Sequence, residues 1–221
     1  MGEQLDIYDE KGNPLGRELR SAVHEQGLWH KTVNLWVLRP GNKILFQMRS
    51  SSLRDNPSKL YTPASGHVLA GESVEDCLKR EAAEELGIAL DFSRAHFIEQ
   101  GRFVADFTQT DGKLYRDRAL YHIHFLEDGR DLTLYDFQQE ELDGLYEFSL
   151  AEALELFQAK REKIPARGVI KQNGRPQICD ATFTLADFLI LSSETPMSKF
   201  GRIMKMAMDF LAARAEITDK S

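Results

Sequence analysis

Cysteine is scarce in this chain: its 221 residues include only Cys77 and Cys179. The two lie far apart and match no metal-ligand spacing, so the sequence predicts neither a disulfide framework nor a zinc site. We expect both to be buried free thiols of a reducing compartment, which favours a cytoplasmic location.

Long hydrophobic runs and an excess of positive charge are also missing. No run of about 18 apolar residues is present, so no membrane-spanning helix is predicted. The first segment, MGEQLDIYDEKG, lacks the apolar stretch of a signal peptide. Asp and Glu number 35 against 28 Lys and Arg, a net charge of −7. We therefore expect no nucleic acid polymer and no membrane as partner, whereas a small phosphorylated ligand could still be recruited by a bound cation.

The pattern of apolar residues predicts strands interrupted by a few helices. Apolar residues make up 42% of the chain, which is enough for a sizeable core. The predicted elements are, in chain order, a hairpin at LDIYDEKGNPLGRE, a helix at RELRSAVHEQG, paired strands in WHKTVNLWVLRPGNKILFQMRS, a helix over Val74–Leu86, strands in AHFIEQGRFVADF, LYRDRALYHIHFLE and ELDGLYEFSL, and a helix in SLAEALELFQAKREK.

The last quarter of the chain has a different character. IPARGVIKQNGRPQICDATF is predicted as a loop, and TLADFLILSS and TPMSKFGRIMKMAMDFLAARAEI are predicted as two helices. The sequence therefore predicts an α/β or α+β fold, a sandwich of helices around a mixed sheet, with a helical C-terminal extension. We expect the main domain, with its N-terminal hairpin, to cover residues 1–163, and the extension to cover residues 164–221 and to pack on it.

The final predicted helix carries an apolar stripe. Its members recur at three- and four-residue steps and are Phe200, Ile203, Met204, Ala207, Phe210 and Leu211. Burying about six such side chains is worth on the order of 10 kcal/mol before entropy, too much to leave in water. Two interpretations stay open: the stripe packs on its own domain, or it completes a homodimer interface.

Acidic residues crowd the segment GHVLAGESVEDCLKREAAEELGI, residues 66–88. Ser73 is a good N-cap, and Glu81, Glu84 and Glu85 fall within an arc of about 100° on the helix that follows. Like charges at this spacing destabilise a helix by about 0.2–0.5 kcal/mol per pair. An ordinary solvated acidic face is one interpretation, and a cation site is the other.

The wider pattern around this helix favours the cation site. Its fixed positions are Gly66, Glu72, Arg80, Glu81, Glu84, Glu85 and Gly87. Seven specified identities at fixed spacing arise by chance in a chain this long less than about once in a million. The pattern resembles the Nudix box, the signature of hydrolases that cleave diphosphate linkages.

The Nudix resemblance implies a role for each of these residues. It implies that Glu81, Glu84 and Glu85 are both catalytic residues and ligands of Mg²⁺ or Mn²⁺, hard cations that prefer oxygen donors. Glu72 and Arg80 match positions that buttress the loop and helix, and Gly66 and Gly87 give the turns their backbone freedom. The expected reaction is attack of water on one phosphorus of a small-molecule diphosphate, of nucleoside-diphosphate type or related.

Other site residues are predicted from weaker signals. The segment QQEELDG offers Glu140, and then Glu141, as an additional catalytic acid or base. Ordinary surface charge is an equal alternative for these two. Plausible contacts for phosphate or base are Arg49, Lys59, Tyr61 and Arg116.

A rival reaction comes from the same superfamily. Segments such as DIYDEKGNPLG, HEQGLWHKTVNLWVL and ASGHVLAGES are similar to Nudix proteins related to isopentenyl-diphosphate isomerase. That enzyme uses a cysteine just before the box, where this chain has Ala64 and Ser65. Isomerisation therefore lacks its thiol, and a non-catalytic binding module is disfavoured because all the box acids are present.

Several histidines have two open interpretations. His24, His30 and His67 look like metal-binding histidines of the isomerase, although the spacing of the first two does not match well. A structural role is the alternative. His122 and His124 share one face of a predicted strand and either line the pocket or contact solvent.

Overall fold

A computed structural model describes residues 2–108, 112–190 and 194–218. The strands are β1 (Gln4–Tyr8), β2 (Pro14–Leu19), β3 (Trp29–Arg39), β4 (Lys43–Arg49), β5 (Leu60–Tyr61), β6 (Ala64–His67), β7 (Ala95–Thr108), β8 (Leu114–Glu127), β9 (Leu142–Ser149), β10 (Lys163–Gln172) and β11 (Arg175–Thr184). The helices are α1 (Arg20–Gln26), α2 (Val74–Leu86), α3 (Leu150–Phe157) and α4 (Arg202–Thr218). The predicted α+β class and C-terminal helix are confirmed. Within these described ranges, no helix is long and apolar enough to cross a membrane.

The chain forms two compact units. The first contains Met1–Trp36, Thr62–Leu126 and Asp136–Gln138, and the second contains Val37–Tyr61, Glu127–Tyr135 and Gln139–Ser221. The predicted domain boundary between residues 163 and 164 stays a prediction. Strand β10 starts at that boundary and pairs with β9, which precedes it.

The first unit is built on the N-terminal part of β3. Strand β1 pairs antiparallel with both β2 and β3, as the hairpin prediction requires. The short strand β6 pairs antiparallel with β3 through four residues, from Thr32 opposite His67 to Leu35 opposite Ala64. Strands β7 and β8 form a long antiparallel hairpin, and β8 also pairs with β3. Helix α2 packs against β6, and this contact positions the acidic segment.

The second unit is a set of antiparallel strands with an aromatic core. The last residues of β3 pair with β4, β4 pairs with β9, and β9 pairs with β10. Five phenylalanine rings with neighbouring centroids 5.0–5.8 Å apart fill the core. They are Phe46, Phe148, Phe157, Phe188 and Phe200.

The loop predicted for residues 164–183 is wrong, because β10 and β11 form a β-hairpin there. Ten residues pair on each strand, and Asn173 and Gly174 make the turn with φ of 52° and 72°. An Asn-Gly pair in the left-handed region is the preferred two-residue hairpin turn. The Asn-Gly pair in QNGR is thus a local sequence signal for the hairpin that the loop prediction did not use.

The helix predicted at TLADFLILSS is also wrong over the residues that the structure describes. Only Leu185–Asp187 forms a single 3₁₀ turn, closed by the Asp187 carboxylate on the Thr184 amide at 2.6 Å. The chain is then extended, since the Leu189 amide donates to the Leu60 carbonyl at 2.9 Å. Pairing with the edge of β5 has replaced the helical bonds. Residues 191–193 of the predicted helix lie outside the described part.

Helix α4 follows a π-helical turn at Met197–Gly201 and buries most of its apolar stripe. Phe200, Ile203, Met204 and Ala207 are buried against their own chain, where α4 packs on α3. The stripe therefore does not require a second copy of the chain. The homodimer stays a prediction, to be tested by sedimentation. Of the two cysteines, both free, Cys77 is buried as predicted and Cys179 is half-buried instead.

The core position of Phe200 leads to a stability prediction. Its ring is fully buried among Phe46, Phe157 and Phe188, so Phe200→Ala should lower the free energy of unfolding by about 3–5 kcal/mol. Met208, 39% exposed on the helix α4 that follows, is the control, and Met208→Ala should change the free energy of unfolding by less than about 0.5 kcal/mol. Urea unfolding measures both. Equal effects would contradict the described packing of α4.

Candidate metal centre and active site

Helix α2 begins and ends at residues whose local chemistry sets its limits. The Ser73 hydroxyl accepts a hydrogen bond from the Asp76 amide at 3.0 Å, which satisfies a free amide of the first turn. At the other end Gly87 adopts a left-handed φ of 65°. A Cβ at Gly87 would overlap the Asp136 carbonyl, so glycine is required there on both counts. The predicted helix is thus confirmed, with its carboxylates at fixed positions.

The three glutamates of α2 differ in exposure and in hydrogen-bond donors. Glu81 is buried, Glu84 is exposed and Glu85 is half-buried. The Arg80 guanidinium donates through Nη1 to Glu81 at 2.6 Å and to Glu84 at 3.2 Å. The Ser65 amide donates to Glu85 Oε2 at 2.6 Å. Arg80 therefore holds two of the three carboxylates, and a backbone amide of β6 holds the third.

Burial disfavours the charged form of the Glu81 side chain. Burial raises the pKa of Glu81 to about 7, and the neighbouring Arg80 only partly opposes that shift. The side chain lies directly against β6, where a Cβ added to Gly66 would overlap the Glu81 carboxylate. Gly66 is therefore needed for close approach, whereas the sequence suggested backbone freedom.

Arg80 also connects the helix to the loop before it. Its Nε and Nη2 atoms donate to the two oxygens of Glu72 at 2.9 and 3.0 Å, and Nη2 donates to the His67 carbonyl at 3.0 Å. The Leu69 amide donates to the same Glu72 carboxylate at 2.9 Å. These contacts lower the pKa of Glu72 against the effect of burial, so it is ionised. Such contacts are what the predicted buttressing role requires.

Three of the predicted substrate contacts have other partners. Arg116 donates to the Glu25 carbonyl at the end of α1. Arg49 donates to the carbonyls of Asp55 and Asn56 at 2.9 and 3.1 Å, within its own loop. Lys59 donates to the Ala186 carbonyl at 2.6 Å. These side chains brace backbone in the structure, and a role in substrate binding stays a prediction for each.

The remaining two predicted site residues are Tyr61 and Glu140. The Tyr61 ring lies under the Lys199 ammonium group, with 5.1 Å between nitrogen and centroid. Glu140 is exposed in the turn before β9. Its predicted role as a catalytic acid or base is untested.

Three histidines of the first unit converge although they are distant in sequence. His24 is in α1, His30 in β3 and His67 in β6, and one nitrogen of each lies within 4.8 Å of the other two. The Nε2 atoms of His24 and His67 are 3.0 Å apart. Burial lowers the pKa of His24 to about 3 and that of His30 to about 4, so both are neutral at pH 7. We call these residues the histidine trio.

The hydrogen bond of His30 fixes which of its nitrogens carries the lone pair. Nδ1 is 3.0 Å from the Leu28 carbonyl, an acceptor, so Nδ1 bears the proton. Nε2 then presents its lone pair, is buried, and has no hydrogen-bond partner within the described residues. It lies 3.5 Å from Asp117 Oδ1, which is also an acceptor. Two acceptors facing one another indicate a position for a cation.

Two contributors to these sites were not identified from sequence. Asp117 lies in the predicted strand LYRDRALYHIHFLE, and nothing in the chain spacing placed it beside His30. Ser65 contributes through its backbone amide, which donates to Glu85, and a motif defined by side chains cannot predict such a bond. Gly27, with φ of 69°, ends α1 and turns the chain so that His24 and His30 meet, which explains why their spacing was misleading.

His122 and His124, the two histidines predicted to share one face of a strand, differ in their surroundings. His124 is buried, with ring centroids 5.9 Å from Phe92 and 5.5 Å from Phe97. His122 is half-buried, and burial lowers its pKa. The solvent-facing interpretation is therefore wrong for His124, whose imidazole packs between aromatic rings.

Comparisons with known proteins show which family and fold this chain resembles. The family model described as NUDIX domain matches residues 28–171. A Nudix hydrolase of Clostridium acetobutylicum is 34% identical over 177 residues, 78% of this chain and 83% of that protein. An isopentenyl-diphosphate Delta-isomerase of Serratia proteamaculans is 27% identical over 94 residues, 42% of this chain and 52% of that protein. A crystal structure from Deinococcus radiodurans, 22% identical, has a TM-score of 0.52, and the match covers 71% of this chain and 90% of that chain. Together with the family match, this likeness confirms the predicted Nudix-type fold.

The buried His124 predicts a pH dependence of stability. Burial lowers its pKa from 6.5 to about 4, so the unfolded chain takes up a proton between these values and the folded chain does not. Stability should therefore fall as the pH falls from 6.5 to 4. His124→Phe should reduce this loss by about 2–3 kcal/mol, measured by urea unfolding in EDTA at several pH values. The same pH slope in both proteins would contradict the assignment.

Proposed function

Because the chain belongs to the Nudix hydrolase family, whose members act on diphosphate-containing substrates, we propose that it is a divalent-metal-dependent pyrophosphohydrolase. The proposed substrate is a small molecule with a diphosphate linkage, of nucleoside-diphosphate type or related. One observation carries the proposal: Glu81, Glu84 and Glu85 gather on one side of α2, where Arg80 donates to the first two and the Ser65 amide donates to the third. A diphosphate is itself an anion, so this cluster requires a cation to bind it.

The donor set fits Mg²⁺ or Mn²⁺. Carboxylate oxygens are the ligands that these hard cations prefer, and Glu81, Glu84 and Glu85 would supply them. When bound, the ion neutralises charge on the diphosphate and lowers the pKa of the attacking water. The Ser65 amide orients Glu85, and Arg80 orients Glu81 and Glu84, so the chain holds the carboxylates in place before substrate arrives. Glu140 is the proposed additional acid or base.

Isomerisation is disfavoured because the candidate active site has no reactive cysteine at the position where the isomerase uses one. The likeness to isopentenyl-diphosphate isomerases covers only part of the chain, and Ala64 and Ser65 stand where a reactive thiol is needed. Cys77, the nearby cysteine of α2, is buried, and its Sγ lies 3.4 Å from the His67 carbonyl. Burial raises the pKa of this thiol well above its usual range, so it is a poor nucleophile or acid-base group.

The main test of the proposal is Glu84→Gln. Removing one exposed carboxylate should lower turnover of the best diphosphate by about 100-fold or more, because a ligand of the cation is lost. The same change should leave the melting temperature in Mg²⁺-free buffer unchanged or higher, since it removes a like charge from the cluster. Initial rates in Mg²⁺ and thermal unfolding in EDTA give the two measurements.

A control on the same helix separates metal binding from general charge. Glu75 pairs with Lys79 at 2.6 Å on the exposed face, and Glu75→Gln should leave turnover within about twofold. Full activity of Glu84→Gln on every diphosphate would contradict the assignment. So would deuterium incorporation into isopentenyl diphosphate in D₂O at a rate comparable to hydrolysis.

We also propose that the histidine trio holds a second divalent cation, of the transition-metal class. Imidazole nitrogens favour such metals, and a ligating histidine characteristically donates its other N–H to a carbonyl, as His30 does to Leu28. Metal–nitrogen bonds are about 2.0–2.1 Å long, so the 3.0 Å between His24 and His67 lets one ion reach both. Asp117 is the adjacent oxygen donor.

Equilibrium dialysis against Zn²⁺ in excess Mg²⁺ tests the second site. Wild-type protein should retain one equivalent of Zn²⁺, and His30→Gln should bind it at least about 10-fold more weakly because a nitrogen ligand is lost. His122→Gln, a change at a histidine outside the trio, should have no effect. Equal Zn²⁺ affinity of wild type and His30→Gln would contradict the site.

A further inference from the structure

We infer that strand β6 couples the two groups, so that a transition metal on the histidine trio raises the affinity of the α2 glutamates for Mg²⁺. The inference rests on the proposed function, because it takes both groups to be cation sites. It goes beyond that function in making one site a regulator of the other. The coupling element is four residues long, Ala64–His67.

Two consecutive residues of β6 contact glutamates of α2 directly. The Ser65 amide donates to Glu85 Oε2 at 2.6 Å, a short charge-assisted bond. Gly66 lies so close to Glu81 that the Glu81 carboxylate occupies the space that a Cβ on residue 66 would need. A shift of β6 by a few tenths of an ångström would therefore move the oxygen atoms of both side chains relative to one another.

The next residue of β6 belongs to both sites. The His67 ring is stacked on His30 with centroids 5.0 Å apart, and its Nε2 is 3.0 Å from that of His24. The His67 carbonyl accepts a hydrogen bond from Arg80 at 3.0 Å, and Arg80 in turn holds Glu81 and Glu84. The side chain of one residue is thus in the trio, while its backbone supports the glutamate cluster.

The spacing of the trio indicates why occupancy would matter. Its nitrogen atoms spread over as much as 4.8 Å, whereas bonds of about 2.0–2.1 Å to a single ion allow no more than about 4.2 Å between two ligands. Binding must therefore draw α1, β3 and β6 slightly together. Because the Ser65 amide and Gly66 lie on β6, they would move with it toward the geometry that the bound metal sets.

Coupling of this kind is reciprocal. If the trio metal raises Mg²⁺ affinity by some factor, Mg²⁺ must raise the affinity of the trio metal by the same factor, and values of about 5–150-fold are typical. We expect a factor of at least about 5. Mg²⁺ itself is a poor occupant of an imidazole site, so saturating Mg²⁺ does not displace the transition metal from the trio.

Co²⁺ is the probe for the trio, because its visible absorption is more intense with imidazole ligands in low coordination than with octahedral oxygen ligands. Wild-type protein is titrated with Co²⁺, with and without saturating Mg²⁺, and the dissociation constant should fall at least about fivefold with Mg²⁺. In the reverse titration, one equivalent of Co²⁺ should lower the Mg²⁺ concentration for half-maximal thermal stabilisation by the same factor. A Co²⁺ affinity independent of Mg²⁺ overturns the coupling.

Ser65→Pro tests the path, since proline removes the amide that Glu85 accepts from. Its coupling factor should fall towards one. Ser93→Pro is the matched control: it removes an amide bond to a different carboxylate, that of Asp91 at 3.0 Å, and should keep the wild-type factor. If Ser65→Pro keeps the wild-type coupling factor between Mg²⁺ and Co²⁺ affinity, coupling through the Ser65 amide is overturned. If Ser65→Pro does not fold, the two wild-type titrations decide the coupling.

Hydrolysis measured in Mg²⁺ alone separates this inference from the proposed function. Hydrolysis of a diphosphate together with an unchanged Co²⁺ affinity would overturn the coupling and leave the hydrolase in place. Reciprocal affinity shifts without hydrolysis of any diphosphate would support the coupling and overturn the hydrolase.

Discussion

The guanidinium of Arg80 is the interaction on which the candidate active site depends. It donates to both oxygens of Glu72, to Glu81 and Glu84, and to the carbonyl of His67. These partners belong to the loop before α2, to α2 itself and to β6. Only arginine supplies five donors in a planar fork, so lysine could neutralise charge here but could not hold three elements in register. Burial of part of this network strengthens each bond, because water competes less.

Both candidate cation sites carry an electrostatic cost in the folded chain. The glutamate cluster sets three carboxylates close together on one helix, and burial raises the pKa of Glu81. The trio sets the lone pair of His30 opposite the Asp117 carboxylate, with burial holding His24 and His30 neutral. Such arrangements lower stability and are retained where function needs them. A cation relieves the cost at each site, which is why ligand binding and stability should be linked.

Local signals account for what the sequence predicted well. Helix α2 was predicted to the residue because an N-cap, an apolar stripe and a C-terminal glycine all act within one segment. Tertiary contacts account for the failures. The helix expected after Thr184 gave way to pairing of Leu189 with Leu60, which is far away in sequence. The convergence of the trio depends on the turn at Gly27 and on the register of β3 with β6, neither of which spacing reveals. The different exposures of Glu81 and Glu84 likewise follow from what packs against the helix.

Because the two thiols differ in burial, the rate at which Cys77 reacts can measure how often α2 separates from β6. Cys179 is half-buried, so a thiol-specific reagent can reach it in the folded protein. Cys77 is fully buried between α2 and β6, with its sulfur against the His67 carbonyl. A reagent can therefore modify Cys77 only when α2 separates from β6, and its labelling rate counts those openings. Slow labelling of this single sulfur would measure how long the glutamates stay assembled, with no substrate present.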